Sequence, residues 1–298
     1  MRSQKSALPR PAIRKEVTRQ MWFTAILIVA AAFLATPALA GSGRPASDQH
    51  AVHYYVSLGD SLAAGEQLPS DQNFGDEGYA DQLYALEQAR IPNLKLVKLG
   101  CGGETTSSMI DSVPSVPQGL YEGRGNRYFC DFPHGSQLAE AVSFLHAHRG
   151  FVAFVTLDIG ADDLTSQTGG GVTAIEANLP VILAGLREAA GLGVPIVGMN
   201  YYNPFLVDWF SKPDSLQGHI DGIVAFDDFL DAIYAVAGDP VADVEGAFST
   251  TDTTPQPDGI PLDVARICQW TWMCAAGNIH PNAAGYGVIA QAFEAALP

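Results

Sequence analysis

The chain has 298 residues with 32 acidic against 16 basic side chains, a net charge of −16, and 47% of it is hydrophobic. A polyanion of this kind repels phosphate backbones and anionic lipid surfaces, which excludes nucleic acid as an expected partner. The length and apolar content suit one α/β domain with a substantial core.

In chain order, Arg2, Lys5, Arg10, Arg14, Lys15 and Arg19 precede the apolar run WFTAILIVAAAFLA, and the small-residue tripeptide ALA follows at 38 to 40. This reads as a secretory signal peptide over residues 1 to 40, cleaved before Gly41. The run is short of the roughly 20 residues that cross a bilayer, which disfavours an uncleaved anchor and any stable membrane insertion after cleavage. Loss of the leader removes six basic and one acidic residue and leaves the exported part at −21. A Gly/Ser/Pro linker is expected at 41 to 50, and the domain at 51 to 298.

Strand-like runs occur at 54–58, 94–99, 152–159, 194–199 and 240–244, and helical patterns at 79–90, 136–149, 174–191, 226–238 and 282–297. Their alternation predicts a parallel sheet covered on both faces, because parallel neighbours need crossovers. All four cysteines lie in the exported part, where disulfides are the default and zinc is the rival. Sequence proximity favours Cys101–Cys130 and Cys268–Cys274.

In such a sheet, ligands gather beyond the carboxyl ends of the strands. Ser61, in YYVSLGDSLAAGEQ, stands in the turn after the first strand, near a helix N-terminus that favours developing negative charge. The competing reading is a helix cap, since Asp60 or Ser61 suits that role. A serine nucleophile needs a general base. His280, in GNIHPNAAGY before the last helix, is the candidate, set against a packed loop histidine. His50 and His53 precede the first strand, His146 and His148 end a helix, and His134 and His219 lack a strand-end context. The aromatic-rich segment from Tyr201 to Gly238 reads either as the lining of an acyl groove or as ordinary core.

The blocks GDSL (59–62), GCGGETTSSM, DIGADDL and IHPNAAGY resemble, in order and spacing, those of the GDSL or SGNH hydrolases, over residues 52 to 297. The resemblance implies a flavodoxin-like three-layer α/β/α fold, no metal or cofactor, and hydrolysis of acyl esters through an acyl-enzyme. It implies Ser61 as nucleophile and His280 as base, with the Ser61 backbone N–H, Gly103 and the residue at position 162 forming the oxyanion hole. There are two departures. Gly277 occupies the position of the usual triad acid, so a main-chain carbonyl is expected to orient His280. Asp162 replaces an asparagine donor, and an ionised carboxylate cannot donate. A protonated Asp162 would, and burial near Asp60 and Asp163 is expected to favour that form. The expected product is a secreted esterase or lipase with an ester substrate, expected to be a monomer. A polysaccharide deacetylase and a binding protein without turnover are the alternatives.

Overall fold

The computed structural model describes residues 51–68, 75–111, 130, 132–165 and 169–298; the expected signal peptide and linker lie outside the described residues. Five strands, β1 (His53–Gly59), β2 (Leu94–Lys98), β3 (Val152–Asp158), β4 (Ile196–Met199) and β5 (Val241–Ala242), pair in parallel in the order β2-β1-β3-β4-β5. This is the flavodoxin-like order, in which the chain reverses its direction of progress between β1 and β3. The loops leaving those two strands diverge there and open a crevice at the carboxyl edge. Ser61 follows β1 and Asp162 follows β3, so the topology alone brings both to that crevice.

The strands form where aromatic and β-branched residues accumulate. Tyr55, Val56 and Leu58 of β1 and Phe154, Val155 and Leu157 of β3 are buried, as expected for strands covered on both faces. Among the described residues, eleven α-helices follow one another around the sheet: α1 (Ser61–Ala64), α2 (Tyr79–Glu87), α3 (Thr106–Asp111), α4 (Gln137–Ala147), α5 (Ala161–Thr165), α6 (Gly171–Ala190), α7 (Leu216–Ala237), α8 (Val244–Ala247), α9 (Leu262–Trp270), α10 (Met273–Ala276) and α11 (Ala283–Ala296). On one side, α2 packs against α11; on the other, α4, α6 and α7 pack in succession. Among the described residues, no helix is long and apolar enough to cross a membrane.

The five expected strands and five expected helices are present with ends shifted by a few residues, except at α7. That helix begins at Leu216 rather than 226, because Leu216 and Ile220 are buried and hold its first turns to the core despite Gly218 and Gly222. The expected strand at 240–244 is curtailed to two residues, since Asp243 caps α8 by accepting from Gly246 N–H. The disulfides are Cys101–Cys130 and Cys268–Cys274, as the sequence predicts.

Candidate active site

The turn carrying Ser61 is fixed from three directions. The Gly59 N–H donates to Gln137 Oε1 at 2.7 Å, and Gln137 Nε2 donates back to the Gly59 carbonyl at 2.9 Å. The Asp60 N–H donates to the Asp158 carbonyl at 3.1 Å, and Asp60 Oδ1 accepts from Leu62 N–H at 2.9 Å. Asp60 therefore takes the capping role that competed for Ser61. The Ser61 hydroxyl instead lies 2.9 Å from His280 Nε2.

His280 is presented by a loop tied to the segment before α10. Trp272 N–H donates to the His280 carbonyl at 3.0 Å, Asn282 N–H donates to the Trp270 carbonyl at 3.0 Å, and Thr271 and Pro281 form an antiparallel bridge. The Cys268–Cys274 disulfide joins α9 to α10 at this point. Asn278 Oδ1 accepts from the His280 backbone N–H at 2.9 Å and lies 2.9 Å from His280 Nδ1. A backbone N–H only donates, so the asparagine atom facing it is the oxygen, and Nδ1 must then carry hydrogen. That tautomer leaves the Nε2 lone pair for Ser61. The expected main-chain carbonyl is thus corrected to a side-chain amide oxygen. Gly277 caps α10 at φ +62, in the left-handed region, which explains glycine where the family acid was expected. Burial lowers the His280 pKa to about 4, which keeps it an unprotonated acceptor at neutral pH.

Sequence reading missed Asn278 and also Glu66. The Glu66 carboxylate is buried, with Oε2 3.4 Å from His280 Nε2, and its backbone N–H donates to the Ser61 carbonyl at 2.9 Å. A Cβ on Gly102 would collide with Glu66 Oε1, so the loop bearing Gly103 packs against the same carboxylate that faces the base. Gly103, at φ +75, stands in that loop after β2.

Asp162, in the first turn of α5, borders the same cavity as Ser61 and His280. Burial first, then the charges of Asp60 and Asp163, raise its pKa to about 8 against the opposing effect of Thr165. Beneath it, Asp60 and Asp158 are buried side by side and both are pushed up by burial, Asp158 to about 7; Tyr79 donates to Asp158 Oδ1 at 2.6 Å. Asp163 points away, accepting from Thr106 N–H at 2.8 Å and Thr106 Oγ1 at 2.6 Å.

The cavity beside Ser61 has a volume of about 290 Å³. Leu62, Tyr201, Ile223 and Phe226 contribute to its wall, and Leu164, Phe205 and Ile279, all partly exposed, also border it. The Tyr201–Gly238 segment divides between the two: Leu206, Leu230 and Tyr234 are core, and Tyr201, Phe205, Ile223 and Phe226 border the cavity. His219, which had no strand-end context, also borders it and lies 3.3 Å from Asp208.

A family model described as GDSL-like Lipase/Acylhydrolase family matches residues 57–288. Among solved structures, the chain is similar to LAE5, an alpha/beta hydrolase enzyme from the metagenome of Lake Arreo, Spain, at 20% identity and a TM-score of 0.50, covering 84% of this chain and 97% of that one. It is also similar to Axe2, an acetylxylan esterase from Geobacillus stearothermophilus, at 15% identity and a TM-score of 0.51, covering 84% and 96%. At these identities the likeness shows the fold. No curated protein matches the chain.

Proposed function

The chain belongs to the GDSL-like lipase/acylhydrolase family, and from that premise we propose that it hydrolyses carboxylic esters through a Ser61–His280 pair and an acyl-enzyme. The observation that carries this reading is the 2.9 Å contact between Ser61 Oγ and His280 Nε2, with His280 Nδ1 held by Asn278. His280 takes the serine proton as Oγ attacks the ester carbonyl. The backbone N–H groups of Ser61 and Gly103 and the protonated carboxyl of Asp162 stabilise the tetrahedral oxyanion. His280 then gives its proton to the departing alcohol. In the second half, it accepts a proton from the water that attacks the acyl-enzyme, and the acid is released with Ser61 restored. Glu66 Oε2 faces Nε2 while the imidazole is charged, and Asn278 keeps the ring oriented throughout.

The same proposal includes export: residues 1 to 40 act as the secretory signal, the mature chain starts near Gly41, and the enzyme works as a monomer outside the cell. N-terminal sequencing of protein from the culture medium tests the cleavage point.

The catalytic test is a p-nitrophenyl ester panel with wild type and Ser61→Ala, accompanied by phosphonate labelling and intact mass. Wild type is expected to hydrolyse at least one ester and to gain one adduct on Ser61, and the variant to do neither. Equal rates for the two proteins across the panel would make the chain a binding protein that retains the fold.

A further inference from the structure

We infer that Gln137, the first residue of α4, is a positioning residue for the hydrolysis: its buried amide, joined to Glu104, fixes the spacing between the two backbone donors of the oxyanion hole, the N–H groups of Ser61 and Gly103. This rests on the ester-hydrolase reading above and deepens it. The two donors stand on separate loops, Ser61 after β1 and Gly103 after β2. They stabilise an oxyanion only when both reach the same atom.

Gln137 holds both loops with one planar amide. Its Oε1 accepts from Gly59 N–H at 2.7 Å, and its Nε2 donates to the Gly59 carbonyl at 2.9 Å and to Glu104 Oε2 at 3.0 Å. Gly59 stands two residues before Ser61, and Glu104 directly follows Gly103. The amide oxygen and both amide hydrogens are thereby used, and exchanging oxygen for nitrogen would set two donors against each other at Gly59. The network therefore allows one orientation of the side chain.

The groups on either side of the amide are themselves held. Cys101 N–H donates to the Gly59 carbonyl at 3.0 Å, Glu104 N–H donates to the Cys101 carbonyl at 3.1 Å, and Glu104 Oε1 accepts from Ser108 Oγ. A Cβ on Gly59, at φ +138, would collide with the Asp158 carbonyl, so the serine turn is wedged between β3 and Gln137. Gln137, Glu104 and Ser108 are 0%, 3% and 5% exposed. A carboxylate is costly to bury unless it is hydrogen-bonded, and Glu104 meets that condition on both oxygens. Ser136 Oγ caps α4 by accepting from Ala139 N–H at 3.1 Å, and the helix packs against α3, α6 and β1, so the amide is carried by a rigid element. A glutamine that only completed the end of a strand would matter to folding alone. Catalysis responds on a finer scale, since a displacement of about 1 Å costs about 10²-fold.

The test compares wild type with Gln137→Met, Glu104→Ala and Glu104→Gln, with Ser61→Ala as the blank. It reads kcat and KM on one soluble ester, inhibition by a trifluoromethyl ketone that adds to serine as a tetrahedral oxyanion, and thermal melts. Gln137→Met, of similar length but without the amide, should lower kcat by about tenfold to a hundredfold with KM held within about twofold. Inhibition by the ketone should weaken by a similar factor, because the mimic needs the same donors. Glu104→Ala should show the same pattern to a smaller extent. Glu104→Gln keeps the length and an acceptor for Gln137 but not the charge, and should recover most of what Glu104→Ala loses. A kcat within about threefold of wild type in folded Gln137→Met, or a fall in kcat with inhibition unchanged, would overturn the inference while leaving the hydrolase reading intact. So would a Glu104→Gln rate as low as that of Glu104→Ala, which would assign the effect to charge acting on Asp162 rather than to spacing. If Gln137→Met does not fold, the two Glu104 variants decide by the same criteria. Wild type indistinguishable from Ser61→Ala on every ester would remove the hydrolase reading, and this inference with it.

Discussion

Replacing Asp162 with asparagine should raise stability above about pH 4 and preserve activity above about pH 8, and leave both unchanged near pH 4. The Asp162 carboxyl, ordinarily ionising at 3.8, is held to about 8, mainly by burial and then by the charge of Asp60. As an oxyanion donor it works only while protonated. One pH unit above its pKa about a tenth of the molecules keep that proton, so kcat/KM should fall about tenfold by pH 9. An amide donates at every pH, so Asp162→Asn should hold its rate there, where losing one oxyanion donor otherwise costs roughly 10² to 10³. Both proteins should share an acidic limb near pH 4, because His280 must lose its proton to act as base. The stability effect follows from linkage. A carboxyl whose pKa is raised on folding contributes most below its unfolded value, and that contribution is lost as pH rises from about 4 to about 8. Keeping the proton to pH 7 costs up to ~4 kcal/mol at 1.36 kcal/mol per unit, which solvent contact at a partly buried residue reduces to roughly 2. Asp162→Asn should therefore be more stable at pH 7 by about that amount, and similar to wild type near pH 4. The assay is kcat/KM for one soluble ester between pH 4 and 9, paired with urea unfolding at pH 4.5 and 7. An unchanged alkaline limb in the variant, or loss of activity at every pH, would refute the role given to Asp162. Glu104 and Asp158 are each raised to about 7, so a wild-type limb alone would not identify the group; the substitution does.

Asn278→Ala should lower kcat about tenfold with little change in KM, the worth of one orienting hydrogen bond; an unaltered kcat would show that the ring needs no such partner. Asn278→Asp should move the acidic limb above pH 4, because a carboxylate beside Nδ1 favours the imidazolium, and an acidic limb that stayed in place would count against the contact. Cys268→Ser should reduce activity more than stability, since this bridge braces the loop presenting His280, and chain entropy assigns it about 2 kcal/mol. Cys101→Ser opens a loop of 29 residues and should cost about 3 to 4 kcal/mol of stability. Matched thermal melts and initial rates on the two variants check this pair, and equal losses in both measures would contradict it.

Most of the sheet was legible because its strands are buried on both faces and read as continuous apolar runs, and because each long helix keeps one apolar stripe. The short helices were not. α1, α3, α5, α8 and α10 have four to six residues each, too few to show a period or to form alone, and they exist because tertiary neighbours and caps such as Asp60 and Asp243 complete them. The first turns of α7 were hidden for a different reason: Gly218 and Gly222 weaken the helical pattern over its first turns.

At the site, Ser61 and His280 could be picked out because topology sends the end of β1 and the turn before α11 to one crevice, and Asp162, after β3, through the resemblance of its block to the family's. Asn278 could not be found that way, since its role depends on one oxygen within an irregular loop. A local signal was nevertheless present. Asparagine two residues before His280 is the pattern of an Asx turn, whose side-chain oxygen accepts the N–H two residues on, and that is the bond observed. Once that turn forms, the same oxygen is within reach of Nδ1, so orienting the ring requires no separate residue. Gly277 supplies the left-handed step that ends α10 just before it. An aspartate at 277 would have to adopt that left-handed step, which glycine takes with no steric cost. The missing acid and the asparagine that replaces it are therefore consequences of one loop geometry: closing α10 on glycine is what places Asn278 under the histidine.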